Sequence, residues 1–284
     1  MAFDEDRVRS VTVAVLDLEL TGLSPRSDRI CEVAVVRGSG GRVQEDYSVL
    51  VRPGVKMSPG AVAVTGITDD LLSNELEFGE VAPRTAEMLG AAVVVAHNVP
   101  FDLGFLHREM DAAAVEFKPP TTLDTLMMAR RLFAFPKNNL YEVCAQLGVE
   151  VDREHRALDD ARVTFDVLHR MLEIIDPGGN VTVGELQGLV DALAPNSKLR
   201  VKQRRVLREC LRDRRSVWIE YQSTSDPKEG LICREVDIWH ARFPRFHCWC
   251  HLRNAERVFR LDRVVTVQRS DRVYEIPSDF TRRI

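Results

Sequence analysis

Apolar and polar positions alternate with clear periods along this chain, and the periods change partway through. Val11 to Leu16 is apolar except for Thr12 and predicts a buried strand. That strand runs straight into Asp17 and Glu19, with a leucine between them and a leucine after. Residues two apart on a strand face the same way, so the two carboxylates point together, roughly 7 Å apart. Two like charges beside apolar neighbours repel and resist desolvation.

Further strands are predicted at 29–37 and 42–51, joined by the turn residues Gly-Ser-Gly-Gly at 38–41. A loop with Pro53, Pro59 and Gly60 follows. Residues 77–90 predict a helix, and 91–98 a short buried strand that turns polar at its end. Residues 100–113 start with Pro in the first turn and predict a helix. Residues 121–126 predict strand into helix, and 138–148 a short helix ended by Gly148. The longest helix spans 156–175 and is stopped by Asp-Pro-Gly-Gly. Three strands with short turns, then alternating strand and helix, imply an α/β mixed sheet with packed helices. Neither GxGxxG nor GxxxxGK[ST] is present, so nucleotide-cradle readings have no support.

Beyond residue 179 the texture changes. Residues 181–194 predict a helix, and 199–216 a strongly basic amphipathic one. Short strands follow at 216–222, 231–243, 245–253, 256–261 and 263–270, a spacing that suits a small β-barrel or sandwich. The expected division is a domain at 1–178, a helical linker at 179–202 and a mostly-β domain at 203–284.

Charge sharpens that division. Residues 196–284 carry 21 Lys and Arg against 12 Asp and Glu, a net of +9; residues 1–195 carry 18 against 31, a net of −13. A basic back half suits a polyanion such as nucleic acid, or is simply a solvated surface. With 45% hydrophobic and 29% charged residues, the 284-residue chain can bury a core and suits a soluble protein. The N-terminus lacks a basic-then-apolar leader pattern, and no apolar run approaches the roughly 18–20 residues that span a membrane, so a cytoplasmic location is expected. The six cysteines have no CxxC spacing and read as reduced thiols. In His247-Cys248-Trp249-Cys250-His251, strand alternation splits the histidines from the cysteines, so a strand is favoured over a zinc site.

A divalent cation would make the Asp17–Glu19 pair favourable, and oxygen ligands point to Mg²⁺ or Mn²⁺. Two-metal chemistry needs more acids where the sheet ends. Asp102 shares a helix face with Phe105, Leu106 and Glu109 and is aimed inward; alone, it would read as an acid favoured by the helix dipole. Of Asp159 and Asp160, the first lines up with Arg162, Asp166, Arg170 and Glu173, a solvent stripe. Asp160 lines up with Thr164, Val167, Met171 and Ile174, a core stripe, and is the ligand candidate. His155 lies just before this helix and titrates near neutral pH, as a general base must; alone, it would read as a surface or capping residue.

Asp-Leu-Glu-Leu-Thr-Gly-Leu (17–23), His-Asn-Val-Pro-Phe-Asp (97–102) and His-Arg-Ala-Leu-Asp-Asp-Ala (155–161) together resemble the three motifs of the DEDDh (DnaQ-like) 3′-to-5′ exonucleases, the superfamily of the polymerase III proofreading subunit and RNase T. The resemblance covers roughly residues 10–175, including 66–72 and 123–132. It implies a ribonuclease H-like fold, two metals on Asp17, Glu19, Asp102 and Asp160, and His155 as general base. It also implies substrate contacts at Leu20, Thr21, Gly22, Leu23, His97, Asn98 and Phe101, and a nucleic acid with a free 3′ end as substrate. The family usually reads DxETTG. Here Leu20 replaces the first threonine, which implies an altered fit at the terminal nucleotide.

Residues 250–264 resemble the end of a WYL domain, a small SH3-like barrel, over roughly 203–280, with Pro244-Arg245-Phe246 in place of the naming triplet. The resemblance implies nucleic acid or a nucleotide-like ligand at Arg253, Arg257, Arg260 and Arg263. By strand alternation Arg253, Arg257 and Arg263 could share one basic face; Arg260 or Arg263 could instead make structural ion pairs. This domain is expected either to grip the strand being trimmed or to act as a sensor or dimerisation module, which would make the protein a homo-oligomer. The whole-chain expectation is a 3′-to-5′ exonuclease, with DNA favoured over RNA. The competing expectation is a nucleic-acid-binding regulator with a vestigial nuclease domain.

Overall fold

A computed structural model describes residues 2–24, 26–119, 121–133, 135–151, 155–194, 197–222, 231–278 and 280. The chain divides into two compact units, residues 1–128 with 137–187, and residues 129–136 with 188–284. In order, the elements are β1 (Val13–Leu20), β2 (Ile30–Ser39), β3 (Arg42–Leu50), α1 (Pro59–Thr65), α2 (Asp69–Leu72), α3 (Phe78–Leu89), β4 (Val93–Ala96), α4 (Val99–Ala112), β5 (Thr122–Asp124), α5 (Thr125–Leu132), α6 (Leu140–Leu147), α7 (Ala157–Ile175), α8 (Val183–Ala192), α9 (Lys198–Asp213), β6 (Arg215–Gln222), β7 (Leu231–Arg242), β8 (Arg245–Cys250), β9 (Ala255–Arg260) and β10 (Val264–Val273). The expected strands and helices are present. The loop expected after residue 51 instead holds α1 and α2, whose starts are capped by the Ser58 and Thr68 side chains.

The first unit is built on a five-stranded sheet of order β3-β2-β1-β4-β5. The β1–β2 and β2–β3 pairs are antiparallel, whereas β1–β4 and β4–β5 are parallel. That mixture follows from connection length. Gly40 and Gly41, with φ of 58° and 74°, close the β2–β3 hairpin, while parallel pairs need the crossovers that α3 and α4 supply. β1, β2 and β4 are apolar on both faces because helices cover both sides. The central strand, β1, shows its exception at Asp17 and Glu19, which are only partly buried between fully buried neighbours.

α7 spans 19 residues and lies on β1 and β2. Its buried face includes Asp160, Thr164, Val167 and Met171, as the stripe predicts, and Asp166, Arg170 and Glu173 face solvent. Ile174 departs from the expectation. It falls in the last turn and is 58% exposed.

The second unit is a five-stranded antiparallel sheet of order β10-β6-β7-β8-β9, against which α9 packs. Val217, Ile219, Val236, Ile238, Phe246 and Cys248 fill the space between them. Cys248 and Cys250 are wholly buried on β8, while His247 and Trp249 are only partly buried and alternate with them, so the strand reading of this stretch holds. The Phe243–Pro244 peptide bond between β7 and β8 is cis. Among the described residues, no helix is long and apolar enough to cross a membrane.

Candidate active site

β4 pairs with β1 only through Val13–Val15, so Asp17 and Glu19 lie past the end of the parallel pairing. Carboxyl ends of strands are where open α/β sheets place their sites. α7 brings Asp160 to the same place. One carboxylate oxygen from each of Asp17, Glu19 and Asp160 lies within 4.8 Å of the other two, and this is the one such cluster of potential metal ligands among the described residues. Asp102, in the first turn of α4, is 7% exposed and neighbours Asp17 closely enough to raise its pKa, but it is not part of the three-oxygen cluster.

Burial and mutual repulsion raise the pKa values of these carboxylates. Burial, then the facing Asp102, Asp160 and Glu19, hold the Asp17 carboxyl well above the usual range. Burial, with Asp160 and Glu32, pushes Glu19 up to about 7. Burial pushes Asp102 up to about 8, with Asp124 and Glu19 adding to it while the backbone amides of Asp102 and Leu18 oppose. Asp160 is also raised, by burial, and is pulled back by a hydrogen bond from Tyr141 and by His155.

Arg156 relieves Glu19 only in part, holding its pKa down against burial and the neighbouring acids. It is paired in two-pronged fashion with Glu32, at 3.0 and 2.7 Å, rather than with Glu19. Glu32 is 1% exposed and also accepts from the Ala157 amide at 3.2 Å, which ties β2 to the start of α7. The sequence pattern offers no hint of Glu32, because it lies on a both-face-buried strand and its partner is 124 residues away. Asp124 was likewise missed. Its two oxygens accept from the Val99 and Met127 amides and so fix the starts of α4 and α5.

The comparison with known proteins adds the family. Residues 14–168 match the family model described as Exonuclease (RNase_T), more than half of the chain. The chain belongs to the exonuclease family. A WYL domain matches residues 204–269. Across 191 residues it is 35% identical to a PolC-type DNA polymerase III of Thermotoga maritima, covering 67% of this chain and 14% of that one. Across 161 residues it is 34% identical to the 3′-5′ exonuclease DinG of Bacillus subtilis, covering 56% of this chain and 17% of that one. This chain therefore spans less than a fifth of the length of these relatives. Among solved structures, exonuclease I of Methylocaldum szegediense matches with a TM-score of 0.52 at 18% identity, over 96% of this chain and 67% of that one. E. coli exonuclease I in complex with a dA16 oligonucleotide matches with a TM-score of 0.53 at 17% identity, over 84% of this chain and 55% of that one. These two likenesses show the fold, the ribonuclease H-like exonuclease architecture.

The other residues expected at the exonuclease centre separate into two groups. His155 lies just before α7 with a left-handed φ of 61°, its amide donating to the Tyr141 hydroxyl at 3.0 Å and its Nδ1 3.4 Å from that oxygen. Leu23 is 79% exposed, and Asn98 and Phe101 are partly buried near Asp102 in sequence, with the Phe101 ring edge-on to Phe105. Leu20, Thr21 and His97, in contrast, are occupied by the fold. Leu20 is 7% exposed in the main core, on the strand face opposite Asp17 and Glu19. A register shift after Glu19, opposite Cys31, sets this turn of the strand. Thr21 is wholly buried, its hydroxyl accepting from the Arg29 amide and bonding the Asp28 carboxylate. A Cβ on Gly22 would lie 2.6 Å from the Asp28 carboxylate, so a larger residue there would require that side chain to shift. His97 bonds through Nδ1 to the Thr125 hydroxyl and donates from Nε2 to the Asn138 carbonyl, both at 2.9 Å.

In the WYL-type unit the four arginines do not form one strand face. Arg253 lies in the turn after β8, Arg257 is exposed on β9, and Arg263 belongs to a 3-10 turn at Leu261–Arg263. Arg260 is paired with Asp262 at 3.0 and 2.7 Å, the structural alternative the sequence left open. Arg200, in the basic amphipathic helix α9, is 2% exposed. Its guanidinium donates to the carbonyls of Leu261 at 2.6 Å, Asp262 at 2.8 Å and Val264.

Proposed function

We propose that the first unit removes nucleotides from the 3′ end of nucleic acid, DNA in preference to RNA, by metal-dependent phosphodiester hydrolysis. The observation that carries this reading is the convergence of Asp17, Glu19 and Asp160 within 4.8 Å, with no arginine or lysine in ion-pair contact with them among the described residues. Their raised pKa values fit a site that is incomplete without a cation. All-oxygen ligands favour Mg²⁺ or Mn²⁺, with Asp102 completing a set of four acids for two ions. Two such ions, when bound, lower the pKa of a water and neutralise charge on the scissile phosphate and the leaving oxygen. His155 takes the proton of the attacking water at Nε2, since Nδ1 is the nitrogen nearer Tyr141. The exposed Leu23 and the partly buried Asn98 and Phe101 border the terminal nucleotide. The preference for DNA rests on the named relatives: a DNA polymerase and a solved complex with an oligodeoxynucleotide.

The WYL-type unit grips the same polyanion through exposed cations, Lys202, Arg205 and Arg208 on α9 with Arg253 and Arg257. Hydrolysis of 3′-labelled single-stranded DNA, duplex DNA and RNA, with and without Mg²⁺ or Mn²⁺, tests the proposal. Stepwise loss from the 3′ end of DNA that stops with chelator is expected. Tight binding with no hydrolysis under any of these conditions would replace the reading by that of a regulator with a vestigial nuclease fold.

A further inference from the structure

One hydroxyl stands at the junction of the two groups that the proposed reaction needs most. Tyr141, in the first turn of α6, approaches both carboxylate oxygens of Asp160, at 2.8 and 2.9 Å. The same oxygen accepts the backbone N–H of His155 at 3.0 Å. A phenol has one hydrogen to give, so it donates to Asp160 and accepts from His155. Its ring stands edge-on to the His155 imidazole, with centroids 5.3 Å apart at 89°.

His155 needs such a hold. Its φ of 61° is a conformation that non-glycine residues rarely adopt, and it persists only where neighbours over-determine it. Tyr141 is itself held, because α6 begins with the Asn139 side chain accepting from the Glu142 amide at 3.0 Å. The segment just before α6 is pinned as well, since the Asn138 carbonyl accepts from His97.

We propose that Tyr141 is the positioning residue of this centre: its hydroxyl aims the Asp160 carboxylate and fixes the backbone of His155, so that ligand and base keep one geometry. This rests on the reading of Asp160 as a metal ligand and His155 as the base. Groups that orient metal ligands commonly matter nearly as much as the ligands themselves.

The test compares the full chain with Tyr141→Phe, which deletes one oxygen and keeps the ring. kcat on a 3′-labelled oligonucleotide should fall about 10–100-fold, and the Mn²⁺ Kd from calorimetry should rise about tenfold. KM for the oligonucleotide should stay within about twofold, and thermal unfolding should remain cooperative. The His155 amide signal in NMR spectra should shift and exchange faster with solvent. A hydroxyl that only supports the fold would lower the unfolding midpoint while leaving kcat, Mn²⁺ affinity and the amide signal as in the parent, and that result overturns the proposal. Asp160→Ala and His155→Ala run alongside as separate checks. If both retained full turnover and Mn²⁺ binding, the reading of ligand and base would fail, whereas the anchoring by Tyr141 would still stand or fall on the amide signal.

Discussion

The molecule concentrates like charge in two places and treats it in opposite ways. At the end of β1, Asp17, Glu19 and Asp160 crowd together, and Arg156, whose hydrogen bonds go to Glu32, relieves Glu19 only in part. In the second unit arginines are numerous, and there the protein supplies counterparts. Arg260 has Asp262, Arg269 has Glu209, and Arg200 has a ring of backbone carbonyls. Charge that the chain compensates itself is architecture. Charge that it compensates only in part, at an energetic cost, is the feature on which the proposed metal site rests.

Substitutions can break or sharpen that contrast. Asp17→Ala should have the largest effect, with turnover and divalent-ion binding lost together, as read by hydrolysis and by Mn²⁺ calorimetry. A variant retaining both would remove Asp17 from the site. Next is His155→Ala, which should lose about 10²–10⁴-fold in kcat while Mn²⁺ still binds, separating the base from the acids. In the other region, Arg200→Met should destabilise the WYL-type unit by about 3 kcal/mol in denaturant unfolding, because buried carbonyls lose their donor. It should leave hydrolysis by the folded protein nearly intact, and an equal loss of both would erase the distinction drawn here. Arg257→Ala should have the smallest effect. On an exposed strand position it should change stability by less than about 0.5 kcal/mol. It should reduce the salt dependence of nucleic-acid binding by about one unit of slope, in a fluorescence titration across salt concentrations.

Much of the first region was legible because it obeys short periods. Alternation along β1 put Asp17 and Glu19 on one face, and helical spacing chose Asp160 over Asp159. The residues that complete the region were not legible, because they act across long separations or from unremarkable patterns. Glu32 sits in an ordinary buried strand, and Tyr141 in an ordinary amphipathic helix; only folding shows that one anchors α7 and the other touches Asp160. The core packing of Leu20 follows from the strand face that its neighbours define, which the motif letter alone does not show. In the second region the charge count was right but its disposition was not. Composition cannot tell an arginine that faces solvent from one, like Arg200, that spends its donors on carbonyls. Nor does strand parity apply to Arg263, which the chain places in a 3-10 turn.

The crowded carboxylates also set a pH signature. Glu19 at about 7 and Asp102 at about 8 titrate above their unfolded values, so the folded state holds protons that the unfolded state has released. The stability they contribute is fully present below the ordinary carboxylate range, near pH 4, and is lost as pH rises through about 7 to 8. A divalent ion competes with those same protons, so it should bind better, and restore more, once they have left. The most direct measurement is the unfolding temperature with and without Mn²⁺ at about pH 6 and about pH 8.5, for the parent chain and Glu19→Gln. The account predicts that Mn²⁺ raises Tm, that the rise is larger at the higher pH, and that Glu19→Gln raises metal-free Tm at high pH while losing most of the Mn²⁺ effect. A Tm indifferent to Mn²⁺ at both pH values, or a shift that Glu19→Gln leaves unchanged, would contradict it.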